Sequence, residues 1–96
     1  MKTDSSLNTI TIGDTTVYLT VKEFDIFMLL HNNKGKVFSR NKILNSVWPH
    51  QRYVLERTVD VNITRLRKKM GIMGSCIATR SGYGYYFDKN KIAELC

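Results

Sequence analysis

The stretch RTVDVNITRLRKKM, Arg57 to Met70, carries guanidinium, amide, hydroxyl and ammonium groups at helical spacing. At about 100° per residue, Val59, Ile63, Leu66 and Met70 fall on one stripe, the pattern of a core-facing side. Thr58, Val61, Asn62, Arg65, Lys68 and Lys69 fall on a second stripe, about 120° away on the wheel. Arg57, Asp60, Thr64 and Arg67 make a third. Guanidinium and amide groups hydrogen-bond base edges, a small apolar side chain meets a thymine methyl, and ammonium and hydroxyl groups hold phosphate oxygens. The second stripe therefore has the composition of a surface that reads a DNA major groove. A solvated basic face has the same composition, so the flanking segments have to decide between them.

Other chemistries find no support. Paired carboxylates, metal-ligand spacing and a nucleophile beside a base are all missing, so an enzyme, a metal site and a cofactor are not expected. Gly82-Tyr83-Gly84 is too short to cradle a phosphate. His31 and His50 have no Asp or Cys partner in sequence. Cys76 and Cys96 read as free thiols.

Ninety-six residues, 43% of them hydrophobic, make one small domain with a modest core. No apolar run approaches membrane-spanning length and no signal-peptide pattern follows the polar start, which points to the cytoplasm. Net charge is +7, unevenly spread: Lys34 to Arg80 holds 11 Lys and Arg against Glu56 and Asp60, whereas the remainder holds four cations against six acids. That concentration implies a polyanionic partner.

The flanking segments have recognisable architecture. Ile10 and Ile12, then Val17 and Leu19, alternate with polar residues around Gly13-Asp14, which predicts a β-hairpin over 7–19. Thr20 with Glu23 forms a capping-box pattern ahead of Phe24, Ile26, Phe27, Met28, Leu29 and Leu30, a wide apolar surface that predicts a largely buried helix. His31 reads as a capping or surface residue. Val37-Phe38 allows only a short extended link. Ser39 is the next N-cap, Ile43, Leu44, Val47 and Trp48 the next apolar stripe, and Pro49 its stop. Residues 49–56 form a loop longer than the tight turn of a simple helix-turn-helix, with Val54 and Leu55 expected to tuck inward. Gly71 and Gly74 close the basic helix. Ile77 to Arg80 and Tyr85 to Phe87 then flank a glycine-rich turn as a second hairpin. The expected fold is α+β: a winged helix-turn-helix of three helices, with a short N-terminal hairpin and a C-terminal hairpin wing. Residues 1–6 are expected to be flexible, 7–88 to form the domain, and 89–96 to be a tail.

The segments LTVKEFDIFMLLHNNKGKVFSR, KILNSVW, ERTVDVNITRLRKKM and IATRSGYGYYF, in this order and spacing, resemble the effector domain of OmpR/PhoB-type response regulators of bacterial two-component phosphorelays. The resemblance implies double-stranded DNA binding for transcription regulation, by monomers that pair head to tail on direct-repeat half-sites. Base-reading candidates are Arg57, Val61 and Arg65. The resemblance assigns backbone contacts to Trp48, Thr58, Asn62, Thr64, Arg67 and Tyr85; Arg40, Lys68, Thr79, Arg80 and Tyr83 are further candidates. It implies an RNA polymerase contact through loop 49–56, with His50, Gln51, Arg52 and Tyr53 as candidates. Asp60 is read as structural, an acid in the first turn of the helix that pairs with a nearby arginine.

Three departures bear on function. Members usually begin with a four-stranded sheet, for which 7–19 has room for only two strands, and whole regulators carry a receiver domain upstream, which this sequence does not include. Where the family often has an arginine directly before the first wing glycine, this chain has Ser81. Arg80 lies one residue earlier, which puts it on the opposite face of a strand. Tyr83 is the alternative contact at the tip. A different class of function also fits the same face: a winged-helix module that binds an acidic protein.

Overall fold

The computed structural model describes residues 1–51 and 53–91. In chain order the elements are β1 (Lys2–Asp4), β2 (Thr9–Ile12), β3 (Thr15–Tyr18), α1 (Val21–His31), α2 (Arg40–Val47), α3 (Glu56–Met70), a 3-10 segment (Gly71–Cys76), β4 (Ile77–Arg80) and β5 (Gly84–Phe87). The expected winged helix-turn-helix is present. No described helix is long and apolar enough to cross a membrane.

The N-terminal sheet is larger than expected. Gly13, at φ 60°, and Asp14 close the two-residue turn that sets Ile12 opposite Thr15. Lys2–Asp4 then adds a third antiparallel strand to the far side of β2, with Thr3 opposite Ile10. The segment expected to be flexible is therefore a paired edge strand. All three of its side chains are exposed, so its pairing is through the backbone and leaves no hydrophobic signature in the sequence.

Thr20 caps α1 as predicted: its Oγ1 accepts from the Glu23 amide at 3.2 Å, and the Thr20 amide donates to Glu23 Oε1 at 2.9 Å. Ser39 caps α2, accepting from the Lys42 amide at 3.1 Å. Phe24, Ile26, Phe27 and Leu30 of α1 meet Ile43, Leu44 and Val47 of α2 in one core. The stripe Val59, Ile63, Leu66 and Met70 of α3 closes it, none more than 4% exposed. Burying each such side chain stabilises the fold by about 1.5–3 kcal/mol, which is what holds a helix as polar as α3 in place. Met73 and Cys76 extend the core into the 3-10 segment. Gly74 allows that segment to turn against α3: a Cβ there would lie 2.3 Å from the Arg67 carbonyl oxygen.

His31 is not a surface or capping residue. It stacks on Phe27, with ring centroids 5.1 Å apart, and meets Phe87 edge-on at 5.0 Å. Burial and the nearby Lys34 ammonium both lower its pKa, favouring the neutral ring.

The segment read as a plain link before α2 belongs to the wing. The Phe38 amide donates to the Tyr85 carbonyl at 2.8 Å, the Tyr85 amide donates back at 2.9 Å, and the Gly35 amide donates to the Phe87 carbonyl at 2.9 Å. β5 thus lies between β4 and the link. The approach depends on Gly84, where φ is 144° and a Cβ would sit 2.0 Å from the Phe38 carbonyl oxygen. Gly84→Ala is expected to lower unfolding stability by about 2 kcal/mol or more, through a glycine-only backbone conformation and a clash with backbone atoms. Denaturant unfolding measures it; an unchanged midpoint would mean that the wing does not need this contact.

Candidate nucleic-acid interface

α3 turns its buried stripe to the core and leaves Arg57, Val61, Arg65 and Lys68 exposed on its other sides. Val61, 43% exposed, is an apolar side chain kept in solvent among cations. Arg57, Arg65 and Lys68 make no ion pair or side-chain hydrogen bond with any described residue. Three unpaired cations around an exposed valine form a surface with hydrogen-bond donors still to satisfy, at the spacing of a groove-reading helix.

The other two cations of α3, and Arg40 of α2, are committed to the protein. Lys69, on the same predicted stripe as Arg65, instead donates to Glu23 Oε1 at 2.6 Å. The Glu23 side chain is 1% exposed and that of Lys69 39%, so the bond ties the end of α3 to the start of α1. Burial pushes the Glu23 carboxyl up, but the bonds from Lys69 and the Thr20 amide outweigh it and leave the pKa lowered. Arg67, expected on the DNA backbone, donates through Nε to the Ile77 carbonyl and through Nη2 to Thr79 Oγ1, both at 2.7 Å, and lies over the Tyr85 ring. Arg40 donates to Asp60 Oδ2 at 3.2 Å and lies 3.9 Å from Glu56. The expected arginine partner of Asp60 is therefore Arg40.

Several of the polar backbone-contact candidates are likewise engaged. Tyr85 donates its hydroxyl to Asp60 Oδ1 at 2.5 Å; burial first, and then this bond, push its pKa up to about 12. Asn62 donates to the Thr58 carbonyl at 2.8 Å and Thr64 to the Asp60 carbonyl at 2.9 Å. Trp48 is only 7% exposed, a core residue with the Lys22 ammonium over its ring. The Asn62 and Thr64 bonds are local, each one turn back along α3, whereas Lys69, Arg67 and Tyr85 bond across to another element, which helical spacing could not reveal.

The wing turn is three residues long, Ser81-Gly82-Tyr83, with Gly82 at φ 82° and Arg80 opposite Gly84. Thr79 and Tyr85 are opposite one another and both bond α3. By alternation Arg80 points to the other face. Its guanidinium lies 5.2 Å from the Tyr83 ring centroid, and Tyr83 itself is exposed at the tip.

In the loop before α3, Val54 packs against the core as expected, but Leu55 is 63% exposed, contrary to the expected inward turn. His50, Gln51 and Tyr53 are exposed, Tyr53 at 94%. Arg52 lies outside the described residues, as does the tail beyond residue 91, which includes Cys96. Asp88 Oδ1 accepts from the Asn90 amide at 3.0 Å at the start of that tail.

This fold, with an unpaired cationic face on its third helix, defines a winged-helix DNA-binding domain. The chain belongs to the family described as "Transcriptional regulatory protein, C terminal", whose model matches residues 14–87. It is 46% identical over 79 residues to the uncharacterized transcriptional regulatory protein YclJ of Bacillus subtilis, a match covering 81% of this chain and 35% of that protein. It is 37% identical over 84 residues to the response regulator protein GraR of Staphylococcus aureus, covering 85% and 38%. The chain thus spans little more than a third of the length of these curated relatives. Among solved structures, it resembles the DNA-binding domain of the response regulator AdeR in complex with an intercistronic region, with a TM-score of 0.78, 29% identity, and coverage of 91% of this chain and 92% of that one. The family is one of transcription-factor domains, not enzymes.

Lys68 and Lys69 are adjacent lysines with opposite employment. Replacing Lys69 by Met is expected to lower stability at neutral pH by about 1–3 kcal/mol, a buried-pair cost discounted for the exposure of Lys69. The Glu23 carboxylate binds its proton less tightly in the folded state, so the pair's contribution is present above the ordinary Glu range and is lost as pH falls through the lowered pKa. The stability gap between wild type and Lys69→Met should therefore close towards acid pH. Urea titrations at several pH values test this, and a gap independent of pH would refute it.

Proposed function

We propose that this domain binds double-stranded DNA with a sequence preference and acts in transcription regulation. α3 enters the major groove; Arg57, Val61 and Arg65 meet base edges and Lys68 holds a phosphate. The observation that carries this reading is the contrast on α3. Arg67 and Lys69 are bonded within the protein, whereas Arg57, Arg65 and Lys68 are exposed without a described partner. Thr58, Asn62 and Thr64 lie beside this row and reach the sugar-phosphate backbone. The wing lies against the adjacent backbone or minor groove through Tyr83, exposed at the tip, and Arg80 beside it; Thr79 and Tyr85, on the other face and bonded to α3, reach a phosphate only at the seam between wing and helix. Trp48, being buried, offers at most an edge to a phosphate.

Loop 49–56 is the proposed contact for RNA polymerase. Tyr53 and Leu55 support it: a loop that holds a tyrosine and a leucine in solvent is suited to burying them against a protein. The resemblance to response regulators favours binding as monomers that pair head to tail on direct repeats.

Arg65→Ala should cost about 1–3 kcal/mol on the preferred duplex and flatten discrimination at one base pair. Lys68→Ala should weaken all sequences alike and lower the salt slope by about one unit. Titrations on preferred and scrambled duplexes compare the two variants; equal losses on both duplexes for Arg65→Ala would remove it from base reading. Duplexes recovered from a random pool should contain paired half-sites in direct repeat, whereas inverted half-sites would contradict head-to-tail pairing.

A further inference from the structure

The cations of the basic segment outside α3 divide in the same way as those on it. Arg40 is held by Asp60 and Glu56. Lys34, Lys36 and Lys42 are exposed and make no ion pair with any described residue. They are not loosely placed. The Lys36 and Lys42 ammonium groups lie 5.2 and 5.9 Å from the centroid of one ring, Phe38, and Lys34 lies 5.8 Å from that of Phe87. Both rings are buried, at 4% and 0% exposure, so each lysine stem lies along an apolar floor and its head stays in water. Phe38 and Gly35 are hydrogen-bonded to β5, which makes this row the cationic outer edge of the wing sheet.

We infer that Lys34, Lys36 and Lys42 form a second phosphate-binding surface, which holds DNA flanking the segment read by α3. This rests on the DNA-binding reading above. Position favours DNA over an acidic protein. The row is joined through Phe38 and Tyr85 to the wing, and through α2 to Arg40, which is paired with Asp60 and Glu56 in the first turns of α3. A duplex lying along α3 and the wing extends naturally along this edge. Phosphate binding needs only positive charge at a fixed place, and the rings fix it.

The test compares wild type with the Lys34→Ala/Lys36→Ala/Lys42→Ala variant on two mixed-sequence duplexes. One is just long enough for α3 and the wing, the other extended by about one helical turn at each end. A Lys2→Ala/Lys89→Ala/Lys91→Ala variant removes the same charge elsewhere, and Lys→Arg at positions 34, 36 and 42 preserves it. On the long duplex, the first variant should lose about two to three units of salt slope, at roughly 0.9 unit per phosphate contact. The arginine variant should keep the wild-type slope, and on the short duplex the first variant should differ little from wild type. An unchanged slope on the long duplex overturns the inference and leaves the row to an acidic protein partner. A loss matched by the Lys2/Lys89/Lys91 variant overturns it too, because net charge then explains the effect. Wild type that binds neither duplex at low salt would instead refute DNA binding itself, and thermal melting of each variant separates lost contacts from lost folding.

Discussion

The Asp60 carboxylate is where three elements of this fold are joined. One oxygen accepts from Arg40 at the start of α2, the other from Tyr85 in the middle of the wing sheet, and the residue itself stands in the first turns of α3. A carboxylate offers about four acceptor sites, enough for two strong donors at once. Through them the angle between helix and wing is set by hydrogen bonds as well as by packing. Arg67 repeats the arrangement further along α3 by donating to both Ile77 and Thr79. At the end of the helix, Lys69 reaches the buried Glu23 of α1. α3 is thus fastened along its length by polar contacts on both sides of its buried stripe, Asp60 and Arg67 on one and Lys69 on the other, while Arg57, Val61 and Arg65 are left exposed.

This division explains what the sequence could disclose. Apolar periodicity identified the buried stripe of α3, and the turn and capping chemistry of Gly13, Thr20, Ser39 and Pro49 placed the element boundaries close to where they lie. These are local signals, carried by neighbouring residues. Lys69, Arg67 and Tyr85 could not be assigned in this way. Each has the composition of a DNA contact, and each is engaged by a residue far away in sequence or on another element. An arginine that bonds a carbonyl and one left exposed without a partner are the same letter at similar spacing. The edge strand Lys2–Asp4 was hidden for a related reason: exposed on every side chain, it is held by main-chain pairing alone.

The exposed face of α3 was more legible than the contacts that hold the helix from behind. Arg65 and Val61 were placed on one face by spacing, and both are exposed. Arg57 depended on the family resemblance and on its location at the helix start, and it too is exposed. Such exposure is costly to waste: a valine in water and unpaired guanidinium groups contribute little to folding. The fold accommodates them because Val59, Ile63, Leu66 and Met70 supply the burial that α3 needs.

The pairing of Phe38 with Tyr85 also governs the order in which the molecule can be completed. β5 is the last of the described strands and yet has partners on both sides, β4 on one and the link before α2 on the other. A chain emerging from the ribosome presents the link, α2 and α3 before the strand that joins them exists. Until Phe87 emerges, the core lacks a ring that His31 and Phe27 pack against, and Asp60 lacks its tyrosine. The domain therefore closes late, with a long-range contact that local helix formation cannot replace.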